Sequence, residues 1–292
     1  MCNYEVFPSV PNMCSPQRRK DKENSLFFFR VPSAPQRLCG EKRASANNMS
    51  GTEKYSQWRS LQVTALILAG GLGMRLRSVI ADRPKVLATI HGRPFLTYLL
   101  DQLAEAGINT TVLCTGYMGE LVQTTIGHSY RGMSVRYSQE ASPLGTGGAL
   151  RCAMPYLASD PVFVMNGDSY CKADLRKFAA WHAGHQAEAT LLLTEVLDTS
   201  RYGRVEVDEL GHIQSFHEKG DQQGPDWINA GVYLLSRRIL LSIPEGQAVS
   251  LERDIFPVWI GHGLYGYQTE SEFLDIGTPE SYAEAERFFE EN

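Results

Sequence analysis

From Leu61 onward, short apolar runs alternate with stretches whose apolar residues recur at every third or fourth position. Thr64–Leu68, Thr110–Cys114, Ser134–Ser138, Val162–Met165 and Ala189–Val196 read as strands. Pro94–Ala106, Tyr117–Ile126, Thr146–Leu157 and Leu175–Ala183 read as helices. The first of these helices has proline at its entry and Gly107 just beyond its last periodic residue, the expected start and stop signals. Repeated β-α order predicts an α/β fold with three layers, α/β/α, around a mixed, mostly parallel sheet. The pattern then changes. Gly203–Val207, Gly211–Phe216 and Ile228–Leu234 read as a small antiparallel portion, the first two joined by a turn at Asp208–Gly211. Pro279–Glu290 reads as a closing amphipathic helix, and no internal repeat is present.

Residues 1–60 lack either period and carry ten Lys and Arg against five Asp and Glu, a balance of +5. Because the whole chain is −5, residues 61–292 carry −10. The front segment is expected to be a disordered basic tail, or sequence preceding a start at Met49, and no function is built on it. Residues 61–292 are expected to form one catalytic domain. The negative charge argues against a nucleic-acid partner, and no apolar run is long enough to span a bilayer. Six cysteines without a C-x-x-C pair, three of them in apolar segments, fit reduced thiols and a cytoplasmic protein. An oligomer of identical chains is compatible with the sequence, which does not fix that state.

The chemistry concentrates where the first strand ends. Leu68-Ala69-Gly70-Gly71-Leu72-Gly73-Met74-Arg75 is a glycine-rich turn closed by an arginine, with Pro84-Lys85 ten residues on. Glycines let backbone N–H groups approach an anion, and two fixed cations imply a polyphosphate. The turn is not a dinucleotide fingerprint, because Leu76 stands where the third glycine belongs, and no P-loop string occurs. Asp168 in Asn166-Gly167-Asp168 and Asp275 in Leu274-Asp275-Ile276-Gly277 each follow an apolar run. Singly each is a common turn former; paired beside an anion-binding turn they are candidate ligands of Mg²⁺, which takes one or two carboxylates plus phosphate oxygens.

Glu140 precedes a second glycine-rich turn, Gly145-Thr146-Gly147-Gly148, whose helix N-terminus could receive a phosphate or donate to a base. A carboxylate matches the two adjacent donors of guanine, N1–H and the 2-amino group; an exposed Glu before a turn is the plainer reading. Glu218-Lys219 and Asn229-Ala230-Gly231 suggest a sugar-phosphate pocket, against a solvated charge pair and a bulge glycine. His182 and His185, three apart, have no nearby partner ligand and are expected at the surface.

Six blocks in this order resemble the sugar-phosphate nucleotidyltransferase family: Leu68–Leu76, Pro84-Lys85, Asn166–Asp168, Glu218-Lys219, Ile228–Tyr233 and Leu274–Pro279. Within that family, Pro143–Ala149 most resembles guanylyltransferases acting on heptose or mannose 1-phosphate. The resemblance implies a Rossmann-like sheet of the nucleotide-diphospho-sugar transferase type. It implies attack of a sugar 1-phosphate on an NTP, GTP favoured, to give an NDP-sugar and pyrophosphate with Mg²⁺ as cofactor. Arg75, Lys85 and Asp168 would be catalytic, with Asp168 and Asp275 on the metal. Leu68, Ala69, Gly70, Gly71, Gly73, Glu140, Gly145 and Thr146 would hold the nucleotide. Tyr202, Gly203, Glu218, Lys219 and Asn229 would hold the sugar phosphate. Met74 departs from the threonine usual before the arginine. The competing expectation is a nucleotide-sugar-binding regulatory subunit without turnover, or the same reaction with another NTP or hexose 1-phosphate.

Overall fold

The computed structural model describes residues 63–71, 73–217 and 224–290. The tail 1–60, Leu72, Glu218 and Lys219 lie outside the described residues. Strand β1 (Thr64–Ala69) opens the fold, and the small hairpin β2 (Thr89–Ile90) and β3 (Arg93–Pro94) leads into helix α1 (Phe95–Ala106). Then come β4 (Thr110–Thr115), α2 (Gly119–Ile126), β5 (Ser129–Tyr130), β6 (Met133–Gln139) and α3 (Gly145–Ala153). The middle of the chain adds β7 (Val162–Asn166), β8 (Ser169–Cys171), α4 (Leu175–His185) and β9 (Ala189–Val196). β10 (Arg204–Val207), β11 (Ile213–His217), β12 (Asp226–Leu235) and α5 (Arg237–Ser242) follow. The order closes with α6 (Phe256–Trp259), β13 (Leu264–Thr269), β14 (Phe273–Asp275) and α7 (Pro279–Glu290).

The centre of the main sheet is parallel, β7-β1-β4-β6, with Leu66 level with Val112 on one side and Val164 on the other. Antiparallel β12 joins this centre to β9 and β10, and β13 lies parallel to β9. Side chains of one strand point alternately to opposite faces, and here each face has its own core. Ala65, Ile67 and Ala69 of β1 pack with the core of Phe95, Leu99 and Phe178. Leu66 packs with Leu150, Ile239 and Phe256 on the other side. The expected three layers follow from this alternation.

Helix α1 shows how the sequence sets its own limits. Phe95, Leu96, Leu99, Leu100 and Leu103 are fully buried, at helical spacing, and each such side chain contributes about 1.5–3 kcal/mol on burial. Gly107 ends the helix with its N–H turned back to the carbonyls of Leu103 and Ala104. In the antiparallel portion the strands expected from Gly203 and Gly211 begin at Arg204 and Ile213. The turn between them is closed by Gly211 N–H donating to Asp208 O at 2.9 Å.

His182 corrects an expectation. It is 5% exposed, packed under the sheet, with Nδ1 2.7 Å from Thr190 Oγ1. His185 is exposed as expected and stacks on Trp181 at 3.7 Å. Cys114 and Cys171 are buried thiols outside any disulfide. No helix among the described residues is long and apolar enough to cross a membrane.

Candidate active site

The carboxyl ends of β1, β6 and β7 converge on one cleft of about 390 Å³. Leu68, Gly70, Gly71, Gly73, Met74 and Arg75 form one wall, and Lys85, Asn166, Asp168 and Gly277 line another stretch of it. Glu140, Gly145 and Thr146 complete the lining. Ala69 is 2% exposed and faces the core, so any part it plays runs through its backbone. Arg75 sits on a single tight helical turn, Met74–Leu76, which buried Leu76 anchors while the arginine stays exposed. Met74 lies 63% exposed at the cleft mouth.

Two carboxylates far apart in sequence meet here through a two-stranded sheet. β8 and β14 pair antiparallel with Asp275 opposite Ser169, and Ile276 N–H donates to Asp168 O at 3.0 Å. Lys85 Nζ then lies 2.8 Å from Asp168 Oδ2 and 3.7 Å from Asp275 Oδ1. The lysine side chain is only 11% exposed while that of Asp168 is 47% exposed, so of these two lining residues the acid is the more open to the cleft. Two carboxylates that both reach one cation form a hard-oxygen donor pair of the kind Mg²⁺ takes together with phosphate oxygens and water. Among the described residues no cluster of three or more His, Cys, Asp or Glu forms a full protein cage for a metal.

Glu140 hangs over the first turn from the end of β6. Its Oε2 accepts from Leu144 N–H at 3.0 Å. Its Oε1 occupies space left by two glycines, since a Cβ at Gly70 or Gly116 would stand 2.8 Å from it. Burial raises the Glu140 carboxyl above the usual carboxylate range, and the Leu144 bond partly opposes that.

The second glycine-rich turn is arranged differently from expectation. Gly147 and Gly148 N–H groups at the start of α3 donate to Val249 O, at 2.9 and 3.3 Å. Those two donors are already satisfied and are not available to a phosphate. The Thr146 hydroxyl is engaged in a polar chain: its Oγ1 donates to Glu252 Oε2 at 2.9 Å and accepts from Leu251 N–H at 2.8 Å. Tyr233 OH donates to Glu252 Oε1 at 3.2 Å and accepts from Asn229 Nδ2 at 3.0 Å. Thus Asn229, expected near the sugar, is oriented by Tyr233 and Glu252, neither of which the sequence singled out. Asn166, which the sequence placed in the Asn166–Asp168 block without a role, lines the cleft and has a buried Oδ1 with no hydrogen-bond partner among the described residues.

Tyr202 packs edge-on against Phe273 with ring centroids 5.5 Å apart, close to Asp275 at the far end of β14. Gly203 comes next in the chain, its Cα side facing His217 O. The structure therefore brings together the glycine turn, Arg75, Lys85, Glu140 and both aspartates. Tyr202 stands on the loop before β10 and Asn229 on β12, and Glu218 and Lys219 lie outside the described residues.

The model of the nucleotidyl transferase family matches residues 64–292, and the chain belongs to that family. A mannose-1-phosphate guanylyltransferase of Mycobacterium tuberculosis is 38% identical over 225 residues, covering 76% of this chain and 63% of that protein. A D-glycero-alpha-D-manno-heptose 1-phosphate guanylyltransferase of Aneurinibacillus thermoaerophilus is 37% identical, over 76% of this chain and 96% of its own length. Among solved structures, HddC from Yersinia pseudotuberculosis complexed with GMP-PN superposes with a TM-score of 0.69 at 36% identity. That match covers 78% of this chain and 99% of the solved one.

Proposed function

We propose that this nucleotidyl transferase is a guanylyltransferase, joining GTP to mannose or D-glycero-α-D-manno-heptose 1-phosphate to give a GDP-sugar and pyrophosphate. The observation that carries the reading is the shared cleft, lined by a backbone anion turn, Arg75, Lys85, Glu140 and Asp168, with Asp275 held beside Asp168 by Lys85. The named activities of both relatives and the guanine nucleotide held by HddC support the choice of base and sugar.

In the reaction a phosphate oxygen of the sugar attacks the α-phosphorus, the α–β phosphoanhydride bond breaks, and its electron pair leaves on pyrophosphate. Such transfers need positioning and charge neutralisation more than proton movement. Gly70, Gly71 and Gly73 would offer a close backbone approach to the triphosphate, and Arg75, in the same lining, would meet the departing pyrophosphate. Lys85 keeps Asp168 and Asp275 together and stands within reach of the same phosphates. Mg²⁺, held by Asp168 and Asp275, would neutralise charge on the α-phosphate. Glu140 accepts from the Watson–Crick edge of guanine, and Leu68 frames the nucleoside. Tyr202 and Asn229 face the sugar, with Glu218 and Lys219 assigned there by resemblance. The buried thiols fit a reducing, cytoplasmic setting.

The test is pyrophosphate release by the purified chain with Mg²⁺, each of four triphosphates being paired with mannose, glucose and heptose 1-phosphates. Turnover confined to GTP with mannose or heptose 1-phosphate is the expected result. Nucleotide binding with no turnover in any pairing would instead make the chain a sensor.

A further inference from the structure

Asp275 is flanked by two cations, one on each oxygen. Lys85 Nζ is 3.7 Å from Oδ1, and Arg201 Nη2 is 3.6 Å from Oδ2. The second cation is not part of the glycine turn. Arg201 follows β9 and directly precedes Tyr202, and its guanidinium lies 5.7 Å from that ring's centroid. It also donates to Ser281 Oγ in α7 at 3.3 Å. At 3.6 Å the Asp275 contact exceeds hydrogen-bond range, and the arginine side chain is 40% exposed. A pair held so loosely contributes little to stability.

We propose that Arg201 binds the phosphate of the sugar 1-phosphate and thereby orients the attacking oxygen. This rests on reading the cleft as a site of nucleotidyl transfer. Three observations meet in it. Arg201 stands where the sugar side and the acidic pair join, since Tyr202 packs on Phe273 and that strand ends in Asp275. A sugar 1-phosphate is a dianion that must approach an already anionic triphosphate, and Arg75 and Lys85 line the glycine-turn cleft that the functional reading gives to the triphosphate. A guanidinium fork matches two phosphate oxygens at once, which neither Ser281 nor a 3.6 Å carboxylate exploits here.

The experiment uses the full chain, wild type, Arg201→Ala and Arg201→Lys, with pyrophosphate release followed while mannose 1-phosphate or GTP is varied. In Arg201→Ala the KM for mannose 1-phosphate should rise about 10- to 100-fold while that for GTP stays within about twofold, as loss of one charged hydrogen-bonding group implies. Arg201→Lys should recover part of the loss. An arginine that only props Asp275 would shift the Mg²⁺ half-saturation and leave the sugar KM unchanged, and that result overturns the proposal. If the wild type shows no turnover, the functional reading fails on its own, and calorimetric titration of mannose 1-phosphate decides the role of Arg201. Binding by the wild type that Arg201→Ala loses supports it; equal binding by both, or none by the wild type, overturns it.

Discussion

Replacing Glu140 with glutamine tests base recognition with almost no change of shape. Glu140 Oε2 is held by Leu144 N–H at 3.0 Å, and Oε1 is confined against Gly70 and Gly116. In Glu140→Gln the amide oxygen can keep the Leu144 bond, which leaves the NH₂ group toward the base. A donor then faces guanine's donors, and one charged hydrogen bond is lost. That loss is about 1.5–3 kcal/mol, or about 10- to 100-fold in kcat/KM for GTP. Folding should not suffer. Because burial raises the Glu140 carboxyl, the folded chain holds that proton more tightly than the unfolded one. The stability from this group is complete below the ordinary carboxylate range and is lost as pH rises through the raised value. Glutamine removes that loss, so the melting temperature at neutral pH should hold or rise. The assay is pyrophosphate release with GTP and with inosine triphosphate, which keeps N1–H but lacks the 2-amino group. The wild type should prefer GTP, and the preference should collapse in the variant. An unchanged ratio of GTP to inosine triphosphate would falsify the assignment of Glu140 to the base.

Asp168→Asn should cut kcat by about a hundredfold or more, as expected for removal of a preorganised charge from the reacting centre. Its melting temperature should fall only slightly, because Lys85 retains Asp275; normal turnover would remove Asp168 from the chemistry. Gly145→Ala should lower unfolding free energy by at least about 1–3 kcal/mol in urea titration, the usual cost of forcing a side chain into left-handed backbone. Here φ is +69° and the new Cβ would stand 2.5 Å from Val249 O, the acceptor that caps α3. His182 is pulled by burial from 6.5 down to about 4, so the unfolded chain takes up a proton that the folded chain refuses. Stability from this group is therefore present above pH 6.5 and lost as pH falls toward 4. His182→Gln should flatten the decline of unfolding free energy over that window, and an unaltered slope would exclude it.

Much of the fold was legible because its strands are buried on both faces and so read as unbroken apolar runs. Helix α1 was legible because Pro94 and Gly107 mark its ends. The missed strands had reasons. β8 and β14 have three residues each, too few for a period to show. β13 carries Gly266 in the middle of Leu264–Thr269, which in sequence reads as a turn signal. In the site, the turn and the aspartates were readable because each sits at a strand end or beside glycine, and Arg75 and Lys85 because they follow that turn in Gly73-Met74-Arg75 and Pro84-Lys85. Glu252 was not, since Leu251-Glu252-Arg253-Asp254 looks like a solvated helical face and its partners Thr146 and Tyr233 are remote in sequence. His182 deceived for the opposite reason, a polar residue buried against a single threonine. Arg201 lay in a charged loop whose proximity to Asp275 only the tertiary structure reveals.

The ladder that sets Ser169 against Asp275 also has a bearing on biosynthesis. Translation runs from the amino terminus, so the glycine turn, Arg75, Lys85 and Asp168 emerge from the ribosome long before Phe273–Asp275 can dock. The cleft edge is therefore completed late, because only the docking of that final strand brings Asp275 opposite Ser169 and within 3.7 Å of Lys85.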